Sequence, residues 1–104
     1  MRYATGTLGW MDAVEVSPAH RVVDAARRAS SEVLGRALPL AAYPGTTDAS
    51  HFIGDAHVPS IAALGPGWLS VAHGPNECVG VSQLEDSVAL YERLAHTYCD
   101  TTSA

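Results

Sequence analysis

Val58-Pro59-Ser60-Ile61-Ala62-Ala63-Leu64-Gly65-Pro66-Gly67 is the stretch on which the fold turns. An apolar run ended by a glycine-proline-glycine turn is what a strand buried on both faces shows, and such strands belong to parallel sheets. Two more runs lie upstream. Leu38 to Tyr43 is short and apolar and is broken by Pro44-Gly45, and Met11 to Val16 is β-prone with Val14 and Val16 on one side.

Helix signals alternate with these runs. Ser17-Pro18 reads as an N-cap followed by proline at the first helical position, and Gly35 as the C-terminal stop. The helix between them places Val22, Val23, Ala26, Ala29, Ser30, Val33 and Leu34 on one broad face. Thr46-Thr47-Asp48 can cap a short helix running to about Asp55. After a loop to about Val81, Ser82-Gln83-Leu84-Glu85 spells a capping box, and Leu84, Val88, Tyr91, Ala95 and Tyr98 follow at helical spacing. The order β-α-β-α-β-α predicts an α/β fold, a small sheet with parallel or mixed strands covered by helices. Residues 1–10 read as irregular or as the end of a strand, and residues 100–104 as a frayed tail.

Composition narrows the function classes. The chain has 104 residues, 47% of them hydrophobic and 16% charged, which suits one small globular domain or part of one. At that length roughly 60–65% of the unfolded surface can be buried, so stability is marginal without a partner. The net charge is −5 and the six basic residues do not cluster, which argues against nucleic acid. No apolar run approaches the ~20 residues a membrane span needs, and no signal-peptide pattern opens the chain. Cys78 and Cys99 have no second pair, so a reduced, cytoplasmic protein is the simplest expectation, although the two could also form one bridge.

The chemistry concentrates in two loops. Pro44-Gly45-Thr46-Thr47-Asp48 can expose backbone N–H groups to a carboxylate or an oxyanion, or it can be an ordinary strand-to-helix turn capped by threonine. Ala72-His73-Gly74-Pro75-Asn76-Glu77-Cys78-Val79 puts a histidine on a turn, where it can be a surface residue or one metal ligand. Glu77 can fix that loop through backbone hydrogen bonds, or accept a bond from the outer nitrogen of a ligating His73. His20, His51, His57 and His96 form no ligand pair, and there is no HExxH or CxxC. The serines Ser17, Ser50, Ser60 and Ser70 lack a nucleophile elbow. Trp10 and Trp68 are expected to pack.

In order along the chain, these segments resemble the carboxyl-terminal part of the catalytic domain of the di-zinc amidohydrolase and peptidase superfamily. That superfamily includes acetylornithine deacetylase, succinyl-diaminopimelate desuccinylase, aminoacylase and glutamate carboxypeptidase. The resemblance runs through Gly45-Thr46-Thr47-Asp48-Ala49, Val58-Pro59, Leu64-Gly65-Pro66-Gly67, the His73 loop and the helix from Ser82. Ser17-Pro18-Ala19-His20 with the helix ending Val33-Leu34-Gly35 resembles the preceding segment. The resemblance spans about residues 12–99. It divides the chain into residues 1–16, the last strand of a lid domain with its linker, residues 17–99 from the catalytic domain, and a tail at 100–104.

The resemblance implies that His73 is a zinc ligand, and that Gly45, Thr46, Thr47 and Asp48 line the substrate pocket. It implies cleavage of an amide bond in an N-acyl amino acid or small peptide, with metal polarising the carbonyl and activating water. The other ligands, the bridging aspartate and the glutamate general base belong to an amino-terminal portion that this sequence does not contain. No catalytic residue is therefore assigned here, and the chain is expected to be inactive alone, since one imidazole will not hold the ion. Ser50-His51 stands where many relatives carry arginine, which argues against a carboxylate clamp at that loop. The rival expectations are a non-catalytic small α/β module that forms homo-oligomers, and one subunit of a split metallohydrolase whose partner is a separate chain.

Overall fold

The computed structural model describes residues 11–100. The expectations for residues 1–10, with Trp10, and for residues 101–104 lie outside that span. The described elements are α1 (Arg21–Leu34), α2 (Ala49–Gly54), a single 3-10 turn at Leu69–Val71, and α3 (Val81–Cys99).

The first helix forms for local reasons. Gly35 ends it in the left-handed conformation (φ 71°), and its N–H donates to the Ser31 carbonyl, as the sequence predicts. Its start differs from the expected one. Ser17-Pro18-Ala19 is a turn, with the His20 N–H donating to the Ser17 carbonyl at 2.9 Å, and His20 is the N-cap. His20 Nδ1 accepts the Val22 N–H at 3.0 Å, doing what a serine or aspartate oxygen usually does. One face of α1 is buried: Val23, Ala25, Ala26, Ala29 and Ser30. Four of these five are small, so another helix can approach closely. The Ser30 hydroxyl donates to the Ala26 carbonyl at 2.7 Å, which satisfies it inside the core.

That other helix is α3, and its packing on α1 is the main tertiary association among the described elements. Leu90 is the buried residue of α3, at 7% exposure. Arg21 at the start of α1 meets Tyr98 near the end of α3, and Glu32 near the end of α1 pairs with Arg93 Nε at 3.2 Å. The pairs run in opposite order along the two helices, so the helices pack with antiparallel sense.

The α/β expectation is overturned. Among the described residues there is no strand and no sheet. The segments 11–16, 38–43 and 58–64 are irregular, and no backbone–backbone hydrogen bond joins any of them to another of the three. Apolar β-prone residues become a strand only when a neighbouring backbone supplies a ladder, and here each run lacks that neighbour. Val14, Val16, Leu38, Ile61, Ala62 and Leu64 are half-buried, while Leu40 and Val58 are exposed.

The missing sheet explains a second difference. Of the apolar positions of α3 that recur at helical spacing, Tyr98 meets Arg21 of α1, while those nearer the start of the helix stay exposed. Val81 (71% exposed), Leu84, Val88 (69% exposed) and Tyr91 form a stripe open to solvent, and Trp68 is 52% exposed where packing was expected.

Candidate functional site

The histidine loop is built outward from α3. Gly80 is the N-cap of α3, since its carbonyl accepts the Leu84 N–H at 3.1 Å. The capping box expected at Ser82 therefore does not form. Gln83 lies in the third helical position, and its side chain turns to the loop instead, where Oε1 accepts the Gly67 N–H at 2.6 Å. Tyr91, about two turns further along α3, donates its hydroxyl hydrogen to the Leu64 carbonyl. Gly65 leaves room for that contact, because a Cβ there would lie 2.9 Å from the Tyr91 oxygen.

Between Gly67 and His73 the backbone is a series of hydrogen-bonded turns. The N–H groups of Val71, Ala72 and Gly74 donate to the carbonyls of Trp68, Leu69 and Val71, each at 3.2 Å. His73 (φ 58°) and Asn76 (φ 56°) are both left-handed, a conformation that histidine and asparagine tolerate better than most residues. His73 and Glu77 are exposed, and Glu77 makes no hydrogen bond or ion pair with another described residue. Cys78 and Cys99 are both free thiols and both exposed.

The second candidate loop takes up the first amides of α2. Thr47 Oγ1 accepts the Ala49 N–H at 3.2 Å, the Thr47 carbonyl accepts Ser50 N–H, and the Asp48 carbonyl accepts both His51 and Phe52 N–H. Asp48 is the N-cap of α2 with no side-chain capping bond. An incoming anion would therefore meet only the amides of Gly45, Thr46, Thr47 and Asp48, not those of the helix. Gly45 packs on the Tyr43 ring, where a Cβ would come within 3.1 Å of the ring edge. At the departure Ser50-His51, the imidazole Nδ1 lies 3.1 Å from Asp55 Oδ2, an exposed pair one helical turn apart. His57 takes the left-handed position that closes α2, with the Val58 N–H returning to the Phe52 carbonyl at 2.7 Å.

Thr47 and Asp48 rim an open groove of about 470 Å³ walled by Val22, Phe52, Ile61 and Leu64, with Tyr91 at its α3 side. Gly45, Thr46 and His73 do not line it. The structure thus brings part of the Gly45–Asp48 loop to an apolar groove that His73 does not line. Among the described residues no group of three or more His, Cys, Asp and Glu side chains could hold a metal ion. The donors present do not fit a zinc ion on their own. No described helix is long and apolar enough to cross a membrane.

The residues that sequence reasoning missed are Gln83 and Tyr91. Gly80 was the available signal, because taking it as N-cap puts Gln83 at the third helical position, free to accept a bond from a neighbouring loop.

No curated protein and no solved structure matches the chain. A family model, that of peptidase family M20/M25/M40, matches residues 5–97. That span takes in α1, the Gly45–Asp48 turn, the histidine loop and nearly all of α3, and the chain belongs to the M20/M25/M40 peptidase family.

Proposed function

We propose that the chain is a carboxyl-terminal part of the catalytic domain of a zinc-dependent amide-bond hydrolase. Its substrate class is an N-acyl amino acid or small peptide. His73 supplies one metal ligand, and Gly45, Thr46, Thr47 and Asp48 shape the substrate side. The observation that carries this reading is the family match across residues 5–97, which encloses both loops.

The incomplete donor set supports a division of labour. A zinc site takes three or four protein ligands, and His73 stands without neighbours able to complete one among the described residues. The remaining ligands and the general base come from an amino-terminal portion or a partner chain, and this chain is inactive alone. Co-expression with a matching amino-terminal portion tests the assignment. The expected product is a zinc-loaded hydrolase that loses metal and activity in His73→Ala. Retention of zinc in that variant would refute the ligand role. Calorimetric titration of the chain by itself should show no tight stoichiometric zinc binding, and tight binding would overturn the incomplete site.

A second reading is favoured by the open stripe Val81, Leu84, Val88 and Tyr91. Here the chain is a non-catalytic module that associates with another copy of itself through that face. Sedimentation separates the two readings, because a stable monomer with a cooperative melt counts against self-association.

A further inference from the structure

The stretch from Gly67 to Gly80 departs from the first turn of α3 and returns to it, which makes it an Ω-loop with His73 near its tip. One side chain touches both of its ends. Gln83 Oε1 accepts the Gly67 N–H at 2.6 Å, while Gln83 Cγ, Cδ and Nε2 lie 3.5, 3.6 and 3.6 Å from where a Gly80 Cβ would stand. The two ends also meet directly, since a Cβ on Gly67 would sit 3.6 Å from Val79 Cγ2. A side chain at Gly67 would be strained as well, because its φ is 103°.

The path from this closure to the histidine has little slack. The turns at Val71, Ala72 and Gly74 are each hydrogen-bonded, so the backbone between Gly67 and Gly74 is tied at three points. Left-handed residues such as His73 and Asn76 relax when the surrounding loop is free to do so, and they persist where the loop is held. Tyr91 holds the segment just before the loop through the Leu64 carbonyl.

We propose that Gln83 is a positioning residue, a clasp that closes the Gly67–Gly80 loop and so sets the presentation of His73, with Tyr91 as a second anchor. The functional importance of this clasp rests on the role proposed above for His73, whereas the clasp itself is a property of the chain.

The test is backbone and imidazole NMR with amide hydrogen exchange on the full 104-residue chain. Gln83→Leu removes the acceptor at similar size. Exchange at the Gly67 amide should accelerate at least tenfold, and the His73 ring and the Gly74 and Asn76 amides should shift or broaden, while protection of the α1 core amides stays unchanged. Gln83→Glu keeps an oxygen acceptor at the same reach and should restore both signatures. Gln83→Asn, one methylene too short, should behave as Gln83→Leu does and decides the matter if the leucine variant does not fold. Unchanged Gly67 exchange in these variants would overturn the hydrogen bond, and accelerated exchange with unmoved His73 resonances would overturn the positioning role. His73→Ala should leave Gly67 protected. If His73 proves irrelevant to zinc in the co-expressed enzyme, the proposed function falls while the clasp stands, and a freely exchanging Gly67 amide does the reverse.

Discussion

Arg21 and Tyr98 tie the start of α1 to the end of α3 twice over. Arg21 Nη2 donates to the Tyr98 carbonyl at 2.6 Å, and the guanidinium carbon lies 4.4 Å from the centre of the Tyr98 ring. The carbonyl belongs to the last turn of α3, whose oxygens have no partner within the helix, so the contact satisfies an orphan acceptor and complements the helix dipole. Arg21→Ala is expected to cost about 1 kcal/mol of stability, and Arg21→Lys nearly as much because the ammonium lacks a planar face. A double-mutant cycle with Tyr98→Leu, read by urea denaturation, isolates the ring contact, because the carbonyl bond survives that change, and should return a coupling of roughly 0.5–1 kcal/mol. Strict additivity would show that the ring contact contributes nothing.

Two glycines with equally open surroundings should respond with opposite sign. A Cβ at Gly35 or at Gly54 would meet nothing within 4 Å, so only the backbone decides. Gly35 is left-handed, and Gly35→Ala should destabilise by about 1 kcal/mol. Gly54 is helical, and Gly54→Ala should stabilise by roughly 0.5 kcal/mol through the unfolded state. Thermal melts of the pair are sufficient, and shifts in the same direction would contradict the assignment.

His20 caps α1 through a ring nitrogen, an unusual donor-acceptor arrangement with a simple consequence. His20→Ala should cost about 1 kcal/mol, a fall of several degrees in Tm for a chain of this size. His20→Asn should recover most of it, since its carbonyl can accept the same N–H. Equal loss in both variants would mean that the imidazole stabilises by packing and not by capping.

Val88 is 69% exposed on α3 and takes no part in the buried face that meets α1. Val88→Lys should leave helicity by circular dichroism unchanged while weakening any self-association about tenfold, equivalent to about 1.4 kcal/mol. Sedimentation velocity across a concentration series reads this directly. Identical profiles for both proteins would remove the stripe from the interface.

The parts of the structure visible in the sequence were those decided within a few residues. Gly35 and the apolar face of α1 were legible because cap and periodicity are local signals. The sheet was not, because Leu38–Tyr43 and Val58–Leu64 have strand-like composition but need a neighbour's backbone, and composition says nothing about whether one is present. Ser82–Glu85 misled for a related reason. Its spelling fits a capping box, yet Gly80 offered the earlier N-cap and drew Gln83 toward Gly67. Of the candidate sites, the loop carrying His73 was legible from its motif, while the bond that closes it joins residues far apart in sequence. The internal spending of N–H groups at Ala49 to Phe52 could be seen only with the backbone in hand.

The packing of α1 on α3 also has a kinetic side. These helices lie near opposite ends of the described chain, with α2 and the histidine loop carried between them. Joining them means closing nearly half the polypeptide into a ring, at an entropic cost of roughly 3 kcal/mol that is met before any core contact forms. Folding should therefore be slow for a helical protein, with a transition state in which the two ends have already found each other. A protease cut in the irregular stretch between Gly35 and Thr47 would convert this closure into a bimolecular encounter. The helix pair would then persist only as long as its two pieces stay bound.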